Sequence, residues 1–174
     1  MNNEKWETLL EKTSGFENQE PTFILEENHL GITFNFFRSL EIDDENKTFL
    51  DIGCSDGKTA LVKAKWTGID MFGNFVVGDA HELPFEDDSY DIIFCSHTLE
   101  HTLSPFLCLL EIERALKEDG DVIIGVPCDP GFFSTDHHYI LTEKGWGHLI
   151  QQAGLKIIKT SEKQKDCIAF HCKK

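Results

Sequence analysis

The chain has 174 residues, 40% of them hydrophobic, and a formal net charge of -15, which suits one compact domain with a single core. That charge argues against a protein that grips a nucleic-acid backbone, because displacing counterions needs a dense array of Lys and Arg. No apolar run reaches membrane-spanning length, and the opening MNNEKWETLL lacks the basic end and apolar centre of a secretory signal, so a cytoplasmic protein with no membrane association is expected.

A short helix is expected over 6–12, followed by a loop through Ser14-Gly15 and Pro21. Leu30, Phe34, Phe37 and Leu40 recur at helical spacing and predict a second helix over 25–40, with its aromatic residues in the core. The polar run DDENK ends this helical lead-in, residues 1–47, and the core follows over 48–174, without internal repeats. From Thr48, short apolar runs ending in Gly, Asp or Ser alternate with segments of helical character. TFLDIG, WTGID, NFVVGD and YDIIFCS read as strands and KTALVKA as a short helix. SPFLCLLEIERALKE is the strongest helix: Ser104 caps it, Pro105 suits its first turn, and Leu107, Leu110, Ala115 and Leu116 supply an apolar side. The strand GDVIIGVP, a loop rich in Pro, Gly and Asp, and a helix over 142–153 ending at Gly154 come next. Two final strands, LKIIKTS and DCIAFHC, are close enough to form a hairpin. The pattern implies an α/β fold in one domain over 1–174: a mainly parallel sheet with helices on both faces and an antiparallel C-terminal hairpin.

Residues 1–47 carry eleven Asp and Glu against four Lys and Arg, while residues 155–174 carry six Lys against two acids. This reads as a solubilising surface with a mildly basic edge. Cys54, Cys95, Cys108, Cys128, Cys167 and Cys172 form no C-x-x-C pair and mostly sit in apolar stretches, as buried free thiols do.

DIGCSDG, residues 51–57, leaves a strand and enters a helical segment, and glycines at such a turn let the backbone approach a ligand closely. The loop has neither the three-glycine dinucleotide spacing nor the Gly-Lys-Ser/Thr ending of a phosphate cradle, so a nucleoside without phosphates fits better. The next strand ends at Asp70, where a carboxylate can accept both hydroxyls of a ribose. The following run ends at Asp79, whose carboxylate or adjoining backbone can read the amino edge of adenine.

Taken in order, FLDIGCSDG, GID, VVGDAHELPFEDDSYDIIFCSHTLEH and EIERALKEDGDVIIGVP resemble the class I S-adenosylmethionine-dependent methyltransferases, specifically the type 11 group. The likeness runs over about 49–127, with HHYILTEKGWGHLIQQAGL similar to the group's later helix. It implies a Rossmann-like methyltransferase fold and S-adenosyl-L-methionine as cofactor, with S-adenosyl-L-homocysteine as product. The implied cofactor site comprises Asp51, Gly53, Cys54, Ser55 and Gly57 of the loop, Asp70 and Met71, Asp79 and Ala80, and Ser96 and His97. Three departures stand out. Ser55 replaces a loop glycine, Lys117-Glu118-Asp119-Gly120 replaces a Lys-Pro-Gly-Gly turn, and four residues separate Asp70 from Phe75, where a parallel crossover needs a dozen or more. The chain therefore reads as a compact member lacking the helix between strands 2 and 3.

SHTLEH, residues 96–101, also spells the H-x-x-E-H of zinc peptidases. That motif needs a sustained helix, yet here a strand precedes it and Pro105 interrupts it, so no metal is expected. The resemblance places this turn beside the methyl donor. His97 and His137 are the candidate bases acting on the methyl acceptor, while His101 is expected to face its own helix. The substrate is expected to be a small molecule or an exposed small group, with oxygen and nitrogen acceptors both open, and a protein partner or homo-oligomer also open. Two alternatives remain: a non-catalytic binding or partner-activating relative, and a zinc hydrolase through His97, Glu100 and His101.

Overall fold

A computed structural model describes residues 29–129 and 134–174; the helix expected over 6–12 and the first residues of the one expected over 25–40 lie outside the described residues. In chain order the elements are α1 (His29–Ser39), β1 (Thr48–Ile52), a 3-10 turn (Lys58–Leu61), β2 (Lys65–Asp70), β3 (Val76–Val77), β4 (Tyr90–Ser96), a second 3-10 turn (Leu99–His101), α2 (Pro105–Ala115), β5 (Leu116–Pro127), α3 (Glu143–Gln152), β6 (Lys156–Thr160) and β7 (Cys167–Lys173).

The strands form one seven-stranded sheet in the order β3-β2-β1-β4-β5-β7-β6. Strands β1 to β5 pair in parallel, and β7 runs antiparallel between β5 and β6. This is the expected mainly parallel sheet with an antiparallel hairpin at its edge. Side chains alternate across the sheet because successive Cβ atoms in a strand point to opposite faces. Along β4, Ile93 and Cys95 join Leu109 and Ile112 of α2 and Trp146 and Ile150 of α3. Ile92 and Phe94 join Phe34 and Phe37 of α1 on the other face. There α1 approaches the sheet closely: a Cβ on Gly125 would collide with Thr33, and Ser96 Oγ lies 3.0 Å from Thr33 Oγ1. All six cysteines are free and buried, and among the described residues no helix is long and apolar enough to cross a membrane.

The structure corrects three local expectations. Ser104 does cap α2, accepting from the Leu107 amide, but the helix stops at Ala115 because Leu116 pairs with Tyr90 as the first residue of β5. Its inward face is Cys108, Leu109, Ile112 and Ala115, while Leu107 and Leu110 are exposed. The KTALVKA segment makes only a four-residue 3-10 turn at Lys58–Leu61. NFVV yields a two-residue strand, yet it is parallel to β2, pairing Ile69 with Val76 and Asp70 with Val77. A full crossover must retrace the whole preceding strand. Here the chain retraces only the last two residues of β2, roughly 7 Å at 3.3 Å per residue, and residues 71–75 suffice.

This topology has one switch point: β2 and β3 lie on one side of β1, and β4, β5, β7 and β6 on the other. In open α/β sheets the crevice at the carboxyl ends of the flanking strands is where ligands bind. Ile52 and Ser96 end β1 and β4, so the glycine loop and the SHTLEH turn face each other there.

The inward face of α2 gives a direct test. Leu109→Ala is expected to cost about 2–5 kcal/mol of unfolding free energy, whereas Leu107→Ala stays within about 0.5 kcal/mol, as read from urea midpoints at unchanged m-value. Equal losses would place both side chains in the core.

Candidate functional site

The glycine loop is held by the end of β2. The amides of Gly53 and Cys54 both donate to the Ile69 carbonyl, at 2.8 and 3.2 Å. Ser55 N donates to Asp70 Oδ2 at 2.9 Å, and Phe72 N to Asp70 Oδ1 at 3.0 Å. Loop and carboxylate are thus in direct contact, and each Asp70 oxygen keeps a second lone pair for a hydroxyl. Gly53 and Gly57 hold φ of 74° and 75°. Ser55 takes the same left-handed region at φ 49°, where an L side chain costs roughly 1–2 kcal/mol. The residue departing from the family loop therefore keeps the loop's shape under strain.

Asp51 lies beneath the loop rather than in it. Its side chain accepts from Thr59 Oγ1, and Thr59 in turn accepts from Trp66 Nε1 at 3.0 Å, a buried chain tying β1 to β2 under the loop. Burial pushes the Asp51 carboxyl up from 3.8 to about 7; the Thr59 hydrogen bond opposes this, and Asp70 and Asp56 add to it. Cys54 turns its side chain into the core, where burial raises its thiol to about 12, leaving its backbone as the part available to a ligand. Met71 is exposed at the start of the shortened connection, and Ala80 packs against the core.

Asp79 Oδ1 accepts from the His81 amide at 2.9 Å and lies 2.6 Å from His81 Nδ1. His81 Nε2 accepts from Ser104 N at 3.0 Å, so Nδ1 is the protonated nitrogen and donates to Asp79. These bonds hold the Asp79 carboxyl below its ordinary value.

After β4, Ser96 points at Thr33 of α1, so its hydroxyl faces the helix rather than the crevice. His97 sits at φ 52°, a conformation that non-glycine residues hold at a cost and that clusters at functional sites. Its amide donates to the Gly125 carbonyl at 2.8 Å, and its Nδ1 lies 3.0 Å from Oε1 of the fully buried Glu100. The only helical element in SHTLEH is the three-residue 3-10 turn Leu99–His101, so the peptidase geometry does not form. His101 does not face a helix of its own: its Nδ1 contacts the Asp136 carbonyl at 3.0 Å, and its ring meets His137 edge-on with centroids 4.9 Å apart. His97 and His137 are thereby linked through Glu100 and His101.

Sequence reading missed Thr98, whose Oγ1 reaches the Ile52 carbonyl at 3.1 Å. A Cβ on Gly53 would collide with it, so the first loop glycine is required by the turn after β4. No local pattern encodes that contact. Glu100 was legible within H-x-x-E-H, but its burial between two histidines was not.

A family described as a methyltransferase domain matches residues 50–124. The chain is 30% identical over 105 residues to the tRNA U34 carboxymethyltransferase of Nautilia profundicola, with 48% of this chain and 35% of the relative covered; it thus spans little more than a third of that relative's length. A methyltransferase structure from Aquifex aeolicus superposes with a TM-score of 0.67 at 18% identity, covering 80% of this chain and 88% of that one. A chain from the complex of the Haloferax volcanii Trm112 methyltransferase activator with a methyltransferase gives 0.67 at 17% identity, covering 81% and 88%. These two structural likenesses establish the fold.

Asp51 predicts a pH signature. Below 3.8 the carboxyl is protonated in both states; between there and about 7 only the unfolded chain releases its proton, so stability falls as pH rises, then levels off. The stability of the native chain minus that of Asp51→Asn is therefore expected to decline across this window, because contributions from other carboxylates cancel in the difference. A difference independent of pH would mean that Asp51 ionises normally in the fold.

Proposed function

We propose that the chain is a class I S-adenosylmethionine-dependent methyltransferase of the type 11 group, a reading supported by the methyltransferase-domain match over residues 50–124, and that it transfers a methyl group to a small-molecule or exposed small-group nucleophile in the cytoplasm. The observation that carries this reading is the charge and contact pattern of the crevice. Asp70 is fastened to the glycine loop, and Asp56 and Asp79 lie on the neighbouring turns. The one Lys or Arg within residues 53–58, 70–75, 78–81 and 97–98 is Lys58, which pairs with Asp56 at 2.9 Å. Such a site repels phosphate and suits a cationic sulfonium nucleoside.

Asp70 would hold the ribose hydroxyls, with Met71 beside it. The backbone of Gly53, Cys54, Ser55 and Gly57 would line the donor's approach, Asp79 and Ala80 would flank the adenine, and His97 with the backbone of Ser96 would close the far side. When bound, S-adenosylmethionine supplies a methyl on a sulfonium whose charge vanishes in the transition state, so alignment and exclusion of water dominate the catalytic contribution. His97, whose Nδ1 lies 3.0 Å from Glu100 Oε1, and His137 are the candidate bases acting on the acceptor. The Nautilia relative's name concerns tRNA, but a net charge of -15 weighs against a nucleic-acid substrate here.

A second reading, that a protein partner completes the site, is favoured by the edge around β3. Met71, Phe72 and Val77 are 62%, 79% and 66% exposed where a crossover helix would otherwise cover the sheet, and one structural relative comes from a complex with an activator.

Asp70→Ala is expected to weaken S-adenosylmethionine binding at least tenfold in equilibrium dialysis while leaving the near-UV circular dichroism unchanged. Unaltered affinity in a folded variant would remove the ribose role from Asp70.

A further inference from the structure

We propose that Glu100, His101 and His137 form a binding site for a divalent transition ion of the zinc type, at the end of the sheet where the SHTLEH turn meets the loop after β5. One ligand atom from each of the three lies within 4.8 Å of the others. Zinc binds nitrogen and oxygen ligands at about 2.0–2.2 Å, so modest side-chain rotation brings all three into its coordination sphere. Two imidazoles and a carboxylate are also the donor set that such ions prefer.

Two further observations point to a cation. Glu100 is fully buried, and its Oε2 has no hydrogen-bond partner among the described residues, a costly state for a carboxylate unless a positive charge meets it. Its other oxygen is held 3.0 Å from His97 Nδ1. His101, for its part, already has the outer contact that metal-bound histidines need. A carbonyl can only accept, so the 3.0 Å contact to the Asp136 carbonyl puts the proton on His101 Nδ1, with the Asp136 carboxylate 3.6 Å away. Nε2 is the nitrogen turned toward Glu100, at 4.0 Å from Oε1. A backbone carbonyl or carboxylate on the far nitrogen is the usual device for orienting a metal-bound imidazole. The amides of His138 and Tyr139 donate to the Glu100 carbonyl at 2.8 and 3.2 Å, which holds the His137 segment against the turn.

This ligand set differs from the one that H-x-x-E-H spells: His97 serves Glu100 from outside, and His137, 36 residues beyond His101, takes the place of the first histidine. Three protein ligands leave a fourth position open. An acceptor hydroxyl or amine held there would lose its proton more readily; that role rests on the methyl-transfer reading, whereas the site itself does not.

The test is titration of the chelator-treated protein with cobalt(II), followed by visible absorption. The expected result is saturation at one ion per chain with the intense bands of a four-coordinate centre, displacement by zinc, and at least tenfold weaker binding in Glu100→Gln and in His137→Ala. His138→Ala should bind as the native chain does. His137 is only half-buried, so its variant remains informative if Glu100→Gln fails to fold. Absence of saturable bands would reduce the cluster to a His101–Glu100 ion pair and overturn the proposal, as would equal binding in both variants or a sulfur charge-transfer band marking a cysteine site. S-adenosylhomocysteine affinity measured on the same samples separates the two accounts: intact nucleoside binding without cobalt binding defeats the metal site alone.

Discussion

The contact on which the functional end depends is the docking of the glycine loop onto the last two residues of β2. Three successive amides, Gly53, Cys54 and Ser55, are accepted there, two by the Ile69 carbonyl and one by Asp70. Beneath them the buried Asp51, Thr59 and Trp66 chain spans the same two strands. The loop therefore has a fixed height above the sheet, and Asp70 has a fixed position relative to it. From the opposite side Thr98 reaches the Ile52 carbonyl and fills the space a Gly53 side chain would need. The crevice is shaped by these contacts from β1, β2 and β4 more than by helices, since a 3-10 turn and residues 71–75 stand where longer connections would run.

Economy of connection explains both the stability and the exposure of this edge. A two-residue parallel pairing needs little return path, so β3 can form at the end of β2 without a crossover helix. The same economy leaves Phe72 of the connection in solvent, together with Val77 on a short edge strand whose unpaired backbone is itself a surface for association. The strained Ser55 and His97 backbones flank the crevice, where strain is held in place by surrounding structure.

Much of the fold was legible because the buried strands are short apolar runs and because Ser104-Pro105 and Gly154 mark helix ends by simple chemistry. The end of α2 was not, since Leu116 and Lys117 are good helix formers and only the pairing of Leu116 with Tyr90 overrides them. The inward side of α2 was misread for a related reason. Leu107 and Leu110 are as apolar as Leu109, and only the packed neighbours decide which of them is buried. At the site, the glycine loop and Asp70 were readable as a motif. The meeting of Glu100, His101 and His137 was not, because it joins two loops through the register of β4 and β5 and has no local spacing to mark it.

The central claim is that a phosphate-free adenosyl nucleoside, the sulfonium donor or its thioether product, binds across Asp70 and the glycine loop. Its most direct test is calorimetric titration of the native chain with S-adenosylhomocysteine. Saturable one-to-one binding in the micromolar range, about -8 kcal/mol, is the predicted result. No heat of binding at millimolar ligand would contradict the claim and shift the account to a fold that needs a partner to complete its pocket.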